Sequence, residues 1–457
     1  MSTIPASLVS MREYFETGAT HSYSFRKQQL VQLKNSVLKY QNELDQALYL
    51  DLKKSKEDVW LTETGMVISE IDYFLKGLSG FMKPKKVSTN LLNLPGKSFI
   101  QPEPLGVTLI IGPWNYPFQL LLLPLVGAIA AGNCVVLKPS EYATNTEKVV
   151  EKIINESFHF NYVRCITGEG SQIVPEMMQQ FRFDHVFFTG GTTVGKIIYK
   201  MAAEQLTPVT LELGGKSPCI ITENANLKVA ARRIASIKFS NAGQMCIAPD
   251  YLLVHHSVAD SFINHLKNAI ETFYTANPLE SYDFGRIVNK TQFRRLLGYM
   301  NSGEVIYGGE HNEDQLYIAP TLIKNVLGSD DIMQQEIFGP LLPILKYNTR
   351  AEAMETIKQN PNPLAFYIFT NKTREAEEWM QTVPSGNASV NVAALFYLNK
   401  NLPFGGRGNS GMGRYHGKFS FDTFSHQKAV LKRPARPDFA LAYPSFKGKL
   451  RILKKFI

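Results

Sequence analysis

Three side chains stand where their types and neighbours could do chemistry. They are Cys246 in FSNAGQMCIAPD (239–250), Glu212 in LELGGKSP (211–218) and Asn115 in IGPWNYPF (111–118). Cys246 is flanked on one side by Asn241, Ala242 and Gly243, small enough to let a substrate reach the sulfur. A neutral thiol is a poor nucleophile, so that role asks for a helix end or a nearby positive charge to lower its pKa. An inert buried thiol is the other reading, and it is the one taken for Cys134, Cys165 and Cys219. Glu212 lies between two leucines and directly before Gly-Gly. An apolar setting raises a carboxyl pKa and makes a base toward water near neutral pH, whereas pairing with Lys216 would make the residue structural. Asn115 sits in a stiff Gly-Pro-Trp-Asn-Tyr-Pro loop. A fixed amide donor suits a developing oxyanion; in an ordinary turn it would bond only its own backbone.

Two further regions could hold a ligand. FFTGGTTVG (187–195) places Gly190, Gly191 and Gly195 with two threonines between a strand-like and a helix-like stretch. Such a turn can open backbone N–H groups toward a phosphate, although it is not GxGxxG and a glycine-rich turn explains it too. The late loops EIFGPLLP (336–343) and LPFGGRGNSGMGRYHG (402–417) offer Glu336 to a ribose diol and Phe338 and Phe404 as flat faces. Taken singly, they are also ordinary surface loops.

The elements that must position these residues show in the hydrophobic pattern. Residues 1–80 carry helical apolar spacing, and Lys83–Gln101 is Pro-, Asn- and Ser-punctuated like an extended arm. From Gly106 on, the apolar runs VTLIIG, NCVVLKP, HVFFTG, SPCIIT and YLLVHH are predicted strands. TNTEKVVEKIINES and VGKIIYKMAAEQ are predicted helices, and this alternation implies parallel sheets in an α/β architecture. The apolar run at 117–137 is interrupted by Pro124, Gly127, Gly132 and Asn133, so it reads as a buried helix, a turn and a strand rather than a membrane span.

With 457 residues, 44% hydrophobic and 19% charged, the chain has room for two or three domains around a large core. Its four widely spaced cysteines, with no CxxC pair and no signal-peptide pattern, point to a reducing compartment without disulfides or structural zinc. The net charge of +9 is concentrated at the C-terminal end, where nine basic residues face one acid from Lys428 onward. A nearly neutral body argues against nucleic-acid binding. The last segment, FKGKLRILKKFI, is basic and amphipathic; it suits an anionic membrane surface as well as packing on a partner subunit.

In combination these motifs resemble the aldehyde dehydrogenase superfamily. LELGGKSP and FSNAGQMCIAPD are similar to its glutamate and cysteine signatures, and PWNYP, KPSE (138–141), FTGGTTVG, EIFGP and PFGG…SG follow in family order over essentially the whole chain. Length and both ends resemble the short, often dimeric class 3 branch that includes fatty aldehyde dehydrogenases.

The resemblance implies a Rossmann-like cofactor-binding domain (1–82 and 102–210), an α/β catalytic domain (211–395) and a small β oligomerisation arm with the tail (83–101 and 396–457). It implies that Cys246 attacks the aldehyde and carries a thiohemiacetal and then a thioester. Asn115 and the Cys246 N–H would hold the oxyanion, and Glu212 would activate the hydrolytic water. NAD, with NADP also accepted, is the implied cofactor, with Lys138 and Glu141 at the adenosine ribose. Gly190, Gly191, Thr192, Thr193, Val194 and Gly195 would lie at the pyrophosphate, and Glu336 at the nicotinamide ribose. Trp114, Leu213 and Phe338 would line the same site. Many relatives have Ser or Asn where Gly191 stands, so one side-chain contact to phosphate is missing here. No metal is implied.

The expected substrate is a long apolar aldehyde, fatty or isoprenoid (a carotenoid aldehyde included), with a short or aromatic aldehyde as the alternative. A cytoplasmic homodimer bridged by the Lys83–Gln101 arm and the C-terminal segment is expected, with peripheral membrane contact through the basic tail as the other use of that segment. A CoA-acylating relative is disfavoured by Glu212, because a water-activating glutamate competes with the thiol of CoA. A Cys-dependent esterase without cofactor would leave the ribose and phosphate residues unexplained. A catalytically silent protein would have lost Cys246, Glu212 or Asn115.

Overall fold

The computed structural model describes residues 4–438 and 443–454. Its predicted strands all form. Val107–Ile111, Cys134–Lys138 and His185–Thr189 are buried at every position, as apolar runs covered on both faces must be. They join a six-stranded sheet in the order Gly411–Met412, Val209–Glu212, His185–Thr189, Val107–Ile111, Cys134–Lys138 and Val163–Cys165. All neighbours are parallel except the antiparallel Gly411–Met412. The chain moves outward from Val107–Ile111 first on one side and then on the other. That reversal opens a crevice beyond the strands' carboxyl ends, the usual ligand site of such sheets.

A seven-stranded sheet carries the second half of the chain. Its central strands are Leu341–Tyr347, Tyr251–His255, Pro218–Ile221 and Ala365–Phe369, and all pair in parallel. A third, antiparallel sheet joins Lys85–Val87, Lys97–Pro104 and Ser425–Lys432. The expected division at residues 210 and 211 thus falls inside the strand Val209–Glu212. Of 396–457, Gly411–Met412 lies in the six-stranded sheet and Ser425–Lys432 in the arm.

Helices cover the sheets. Tyr23–Lys39 starts where Ser22 accepts the Phe25 N–H, and Thr144–Ser157 and Thr192–Glu204 form where predicted. The apolar run at 117–137 becomes the wholly buried helix Gln119–Ala131, a turn at Gly132 with φ 94°, and Cys134–Lys138. Among the described residues no helix is long and apolar enough to cross a membrane. Lys455, Phe456 and Ile457, part of the expected membrane-facing tail, lie outside the described residues.

Candidate active site

The ends of four parallel strands deliver most of the predicted residues to one crevice. Trp114 and Asn115 follow Val107–Ile111; Lys138 ends its strand, with Glu141 just beyond. Gly190 and Gly191 lead into the helix Thr192–Glu204, so Thr192, Thr193, Val194 and Gly195 form its first turn. Glu212 ends Val209–Glu212, and Leu213 packs against that first turn beside Gly195. Cys246, Glu336 and Phe338 arrive from loops of the second sheet.

Cys246 sits after an irregular loop in which Asn241, Ala242 and Gly243 all have positive φ (49°, 51° and 76°). A side chain on Gly243 would fall 2.2 Å from the Gly339 carbonyl oxygen, so glycine is needed for the two backbones to meet. The side chain of Gln244 pins the loop, donating to the carbonyls of Asn241 (3.0 Å) and Arg286 (2.9 Å) and accepting the Val288 N–H (3.0 Å). Asn115 is buried and fastened to the same loop. Its Nδ2 donates to the Gln244 carbonyl at 3.0 Å, and Asn241 Nδ2 donates to the Asn115 carbonyl at 2.8 Å. A primary amide has a second N–H, which leaves Asn115 one donor for an oxyanion.

Glu212 is buried with neither carboxyl oxygen hydrogen-bonded. Burial pushes its pKa far above the ordinary carboxyl range. Lys216, its partner in the structural alternative, is engaged elsewhere. The ammonium donates to Asp250 Oδ2 at 2.5 Å and to the carbonyls of Ile332 (2.7 Å) and Gln335 (3.0 Å). Asp250 Oδ1 accepts the Ile337 N–H at 3.0 Å, so this buried pair fixes the turn that carries Glu336.

The setting of the sulfur differs from the expectation of a lowered pKa. Burial pushes the thiol up, and the carboxyls of Glu336 and Glu212 add to it. Only the N–H groups of Cys246 and Ile247 act the other way. A small apolar cavity of about 40 Å³ flanks Cys246, with Tyr116, Leu120, Tyr397, Phe404 and Tyr415 in its wall. Cys134, Cys165 and Cys219 are buried and unpaired, as expected of small hydrophobes.

The crevice fits a nicotinamide dinucleotide. A polar cleft of about 710 Å³ runs past Gly191, Thr192, Gly214, Arg295 and Glu336. The helix Thr192–Glu204 has no side-chain cap, and a Cβ at Gly191 would meet nothing within 4 Å, so its first N–H groups face open space. Unpaired N–H groups at a helix start are an anion site. Glu336 Oε2 lies where a Gly214 side chain would be, 1.8 Å from that ideal Cβ, so the carboxyl rests on bare backbone. Trp114 and Phe338 meet edge to face at 5.2 Å and close the space between the two loops. At the other end Glu141 accepts from Lys138 Nζ and the Gly170 N–H, each at 3.0 Å. Burial raises the Glu141 pKa, but the backbone N–H groups and Lys138 outweigh it and the carboxyl titrates below its usual range. Among the described residues no cluster of His, Cys, Asp and Glu is placed to hold a metal ion.

Asn241, Gln244 and Asp250 were absent from the sequence reading as functional residues, yet they set the geometry of Asn115, Cys246 and Glu336. Their partners are remote in sequence, and the odd run of three left-handed residues before Cys246 leaves no compositional trace beyond Gly243.

Comparisons with known proteins agree with this geometry. A model of the aldehyde dehydrogenase family matches residues 3–430. The chain is 44% identical over 458 residues to the 4,4'-diaponeurosporen-aldehyde dehydrogenase of Staphylococcus aureus (strain NCTC 8325 / PS 47), covering 100% of this chain and 99% of that protein. It is 41% identical over 454 residues to aldehyde dehydrogenase family 3 member A2 of Pongo abelii, covering 98% and 93%. A structure of the substrate-bound state of Staphylococcus aureus AldH is similar over 100% of both chains, with a TM-score of 0.98 and 44% identity. The P. syringae indole-3-acetaldehyde dehydrogenase AldA in complex with NAD+ and IAA is similar over 94% of this chain and 88% of that one, with a TM-score of 0.86 and 27% identity. A nucleophile, a buried carboxyl and an amide donor gathered at a dinucleotide crevice agree with these matches: the chain belongs to the aldehyde dehydrogenase family.

Proposed function

We propose that Cys246, Glu212 and Asn115 carry out the family's NAD(P)-dependent oxidation of an aldehyde to a carboxylic acid, and that the substrate is long and apolar. The observation that carries the assignment is Glu212, buried with both oxygens unbonded and within electrostatic reach of the Cys246 sulfur. The Cys246 thiolate bonds to the carbonyl carbon, and the oxygen takes the negative charge. The second N–H of Asn115 and the Cys246 N–H donate to that oxygen. When bound, NAD(P) supplies the hydride acceptor and, in its oxidised form, a positive ring. Cys246 then carries a thioester, and Glu212 takes a proton from the water that attacks it. The carbon–sulfur bond breaks, and the acid leaves with the sulfur again a thiolate.

The cofactor is held, in this reading, by Trp114, Lys138, Glu141, the Gly190–Gly195 turn, Leu213, Glu336 and Phe338. An ionised Glu141 beside the adenosine ribose favours NAD, since a 2′-phosphate would meet a like charge. Two features support a long apolar substrate. The apolar cavity at Cys246 has Tyr397 in its wall, and Leu395 and Leu398, beside Tyr397 in the chain, are each 46% exposed. The Staphylococcus aureus relative is by its name a 4,4'-diaponeurosporen-aldehyde dehydrogenase. In the tail Tyr443, Phe446, Leu450 and Ile452 are exposed among lysines and arginines, which suits an anionic membrane surface on the cytoplasmic side.

The expected result is that NADH formation at fixed aldehyde concentration rises from propanal through decanal to hexadecanal. Truncation after Tyr443 lowers only the rate on the longest aldehyde, presented in anionic vesicles. Equal rates across the panel, unchanged by truncation, would overturn the long-substrate assignment. The antiparallel arm leaves Leu91, Leu92, Leu94 and Leu431 exposed, which supports a homodimer formed through it. Light scattering gives twice the chain mass if so, and the chain mass alone if not.

A further inference from the structure

The turn that carries the sulfur is anchored on both flanks. Ahead of it, the Gln244 carbonyl accepts the side-chain amides of Asn115 at 3.0 Å and Asn241 at 3.2 Å. The Ala248 N–H donates to the Met245 carbonyl at 3.0 Å, which makes Cys246 and Ile247 the two central residues of a β-turn. Behind them, the Ile247 carbonyl accepts the hydroxyl of Tyr367 at 2.5 Å, a buried contact between residues 120 apart in the chain. Between these anchors, the peptide joining Cys246 to Ile247 makes no hydrogen bond to any residue outside the turn among those described. Its N–H and that of Cys246 act on the sulfur instead.

Tyr367 is fully buried in the strand Ala365–Phe369. A hydroxyl in that place costs free energy unless it is bonded, and a phenylalanine would fill the same space without that cost. The ring does not need the hydroxyl to stay in place. Strand register sets Tyr367 beside Cys219, and Phe396 stacks on the ring at 6.4 Å with 23° between the planes. Burial pushes the phenol well above its usual pKa, so it stays neutral and brings no charge to the site. What the hydroxyl adds is one short hydrogen bond to one carbonyl, and that carbonyl is the far anchor of the turn.

We propose that Tyr367 is a positioning residue for the nucleophile: its hydroxyl holds the Ile247 carbonyl so that the Cys246 and Ile247 N–H groups stay aimed at the reacting atoms. The proposal rests on the reading of Cys246 as the nucleophile. Without the hydroxyl, rotation of the Ile247 backbone is no longer resisted, and the unbonded peptide before it turns with it. The thiolate then loses part of the hydrogen bonding that favours it over the thiol, and the oxyanion loses part of its hold. The other titratable groups facing the sulfur are Glu336, Glu212, Tyr116 and Tyr415, with Tyr397 and His416 in the wall of the same cavity. None of them is bonded to Tyr367, so a change in the sulfur on loss of its hydroxyl reports the turn.

The test is Tyr367→Phe in the full chain, with Tyr347→Phe as its control. Tyr347 is buried in the same sheet, and its hydroxyl likewise donates to a backbone carbonyl, that of Ile221 at 3.4 Å. Ile221 lies at the end of its strand away from the Cys246 loop, which enters the sheet beside Pro218. Alkylation of Cys246 by iodoacetamide, without cofactor, is followed across the alkaline range by mass spectrometry of its peptide. In Tyr367→Phe it slows about tenfold, the size of one hydrogen bond to a charged group, so the wild-type rate is reached about one pH unit higher. The NADH burst at saturating hexadecanal and NAD+ also slows about tenfold. The NAD+ dissociation constant stays as in wild type, since Tyr367 does not line the cleft. Tyr347→Phe matches wild type in all three, whatever either substitution does to the melting temperature. Wild-type alkylation and burst in Tyr367→Phe, a slowed burst with an unchanged alkylation profile, or the same losses in Tyr347→Phe overturn the proposal. If quenched wild-type enzyme carries no acyl group on Cys246, the reading of the nucleophile itself falls. If it carries one and Tyr367→Phe behaves as wild type, only the role of Tyr367 falls.

Discussion

Cys246→Ala forms no NADH from any aldehyde, a loss on the order of 10⁵-fold or more, while NAD+ still binds. No other sulfur can replace it, because Cys134, Cys165 and Cys219 are buried in the strands Cys134–Lys138, Val163–Cys165 and Pro218–Ile221, whereas Cys246 lines the cavity at the crevice. Sulfur suits both halves of the reaction, as an attacking group and as a leaving group, so Cys246→Ser is expected to be nearly as inactive as the alanine variant. Without cofactor the thiol is held neutral by burial and by the charges of Glu336 and Glu212. Its alkylation by iodoacetamide is therefore slow at pH 7 and accelerates with each unit of rising pH, as the thiolate fraction grows. The decisive measurement is mass spectrometry of wild-type enzyme quenched during turnover with hexadecanal. An acyl group is found on the peptide containing Cys246 and is absent from the alanine variant. Undiminished NADH formation by alkylated enzyme would end the assignment.

Much of the scaffold behind that sulfur is legible in the sequence because its signals are local. The runs VTLII, CVVLK and HVFFT are apolar at every position, as a strand covered on both faces must be, and each ends at a loop that reaches the crevice. Gly191 and the threonines after it mark an uncapped helix start in the same local way. What escaped the sequence depends on pairing across the chain. Lys216 sits four residues from Glu212, which leaves a structural ion pair open as an alternative in the sequence, yet it bonds Asp250, 34 residues on. The clamp between Asn241 and Asn115 spans 126 residues. The setting of the sulfur is not legible locally, because the groups nearest it electrically, Glu336 and Glu212, arrive from distant strand ends and loops.

Glu212→Gln releases one NADH per active site in a rapid burst and then nearly stops, its steady rate falling about 10²- to 10⁴-fold. Glutamine fills the same volume and needs no proton, so the fold and the acylation half of the reaction persist. It cannot accept a proton from water, so the thioester accumulates on Cys246, and the acyl adduct becomes easier to detect than in wild type. The pH dependence has a definite sign. Burial raises the Glu212 pKa far above 4.5, and the base is the unprotonated form, so wild-type deacylation accelerates as pH rises through that raised pKa. In the glutamine variant this rise is gone, and slow hydrolysis follows hydroxide alone. Stopped-flow absorbance of NADH separates the burst from the steady phase at each pH. Loss of the burst together with the steady rate would place Glu212 in acylation and remove it as the base for water. A burst followed by an unchanged steady rate would show that another group activates the water.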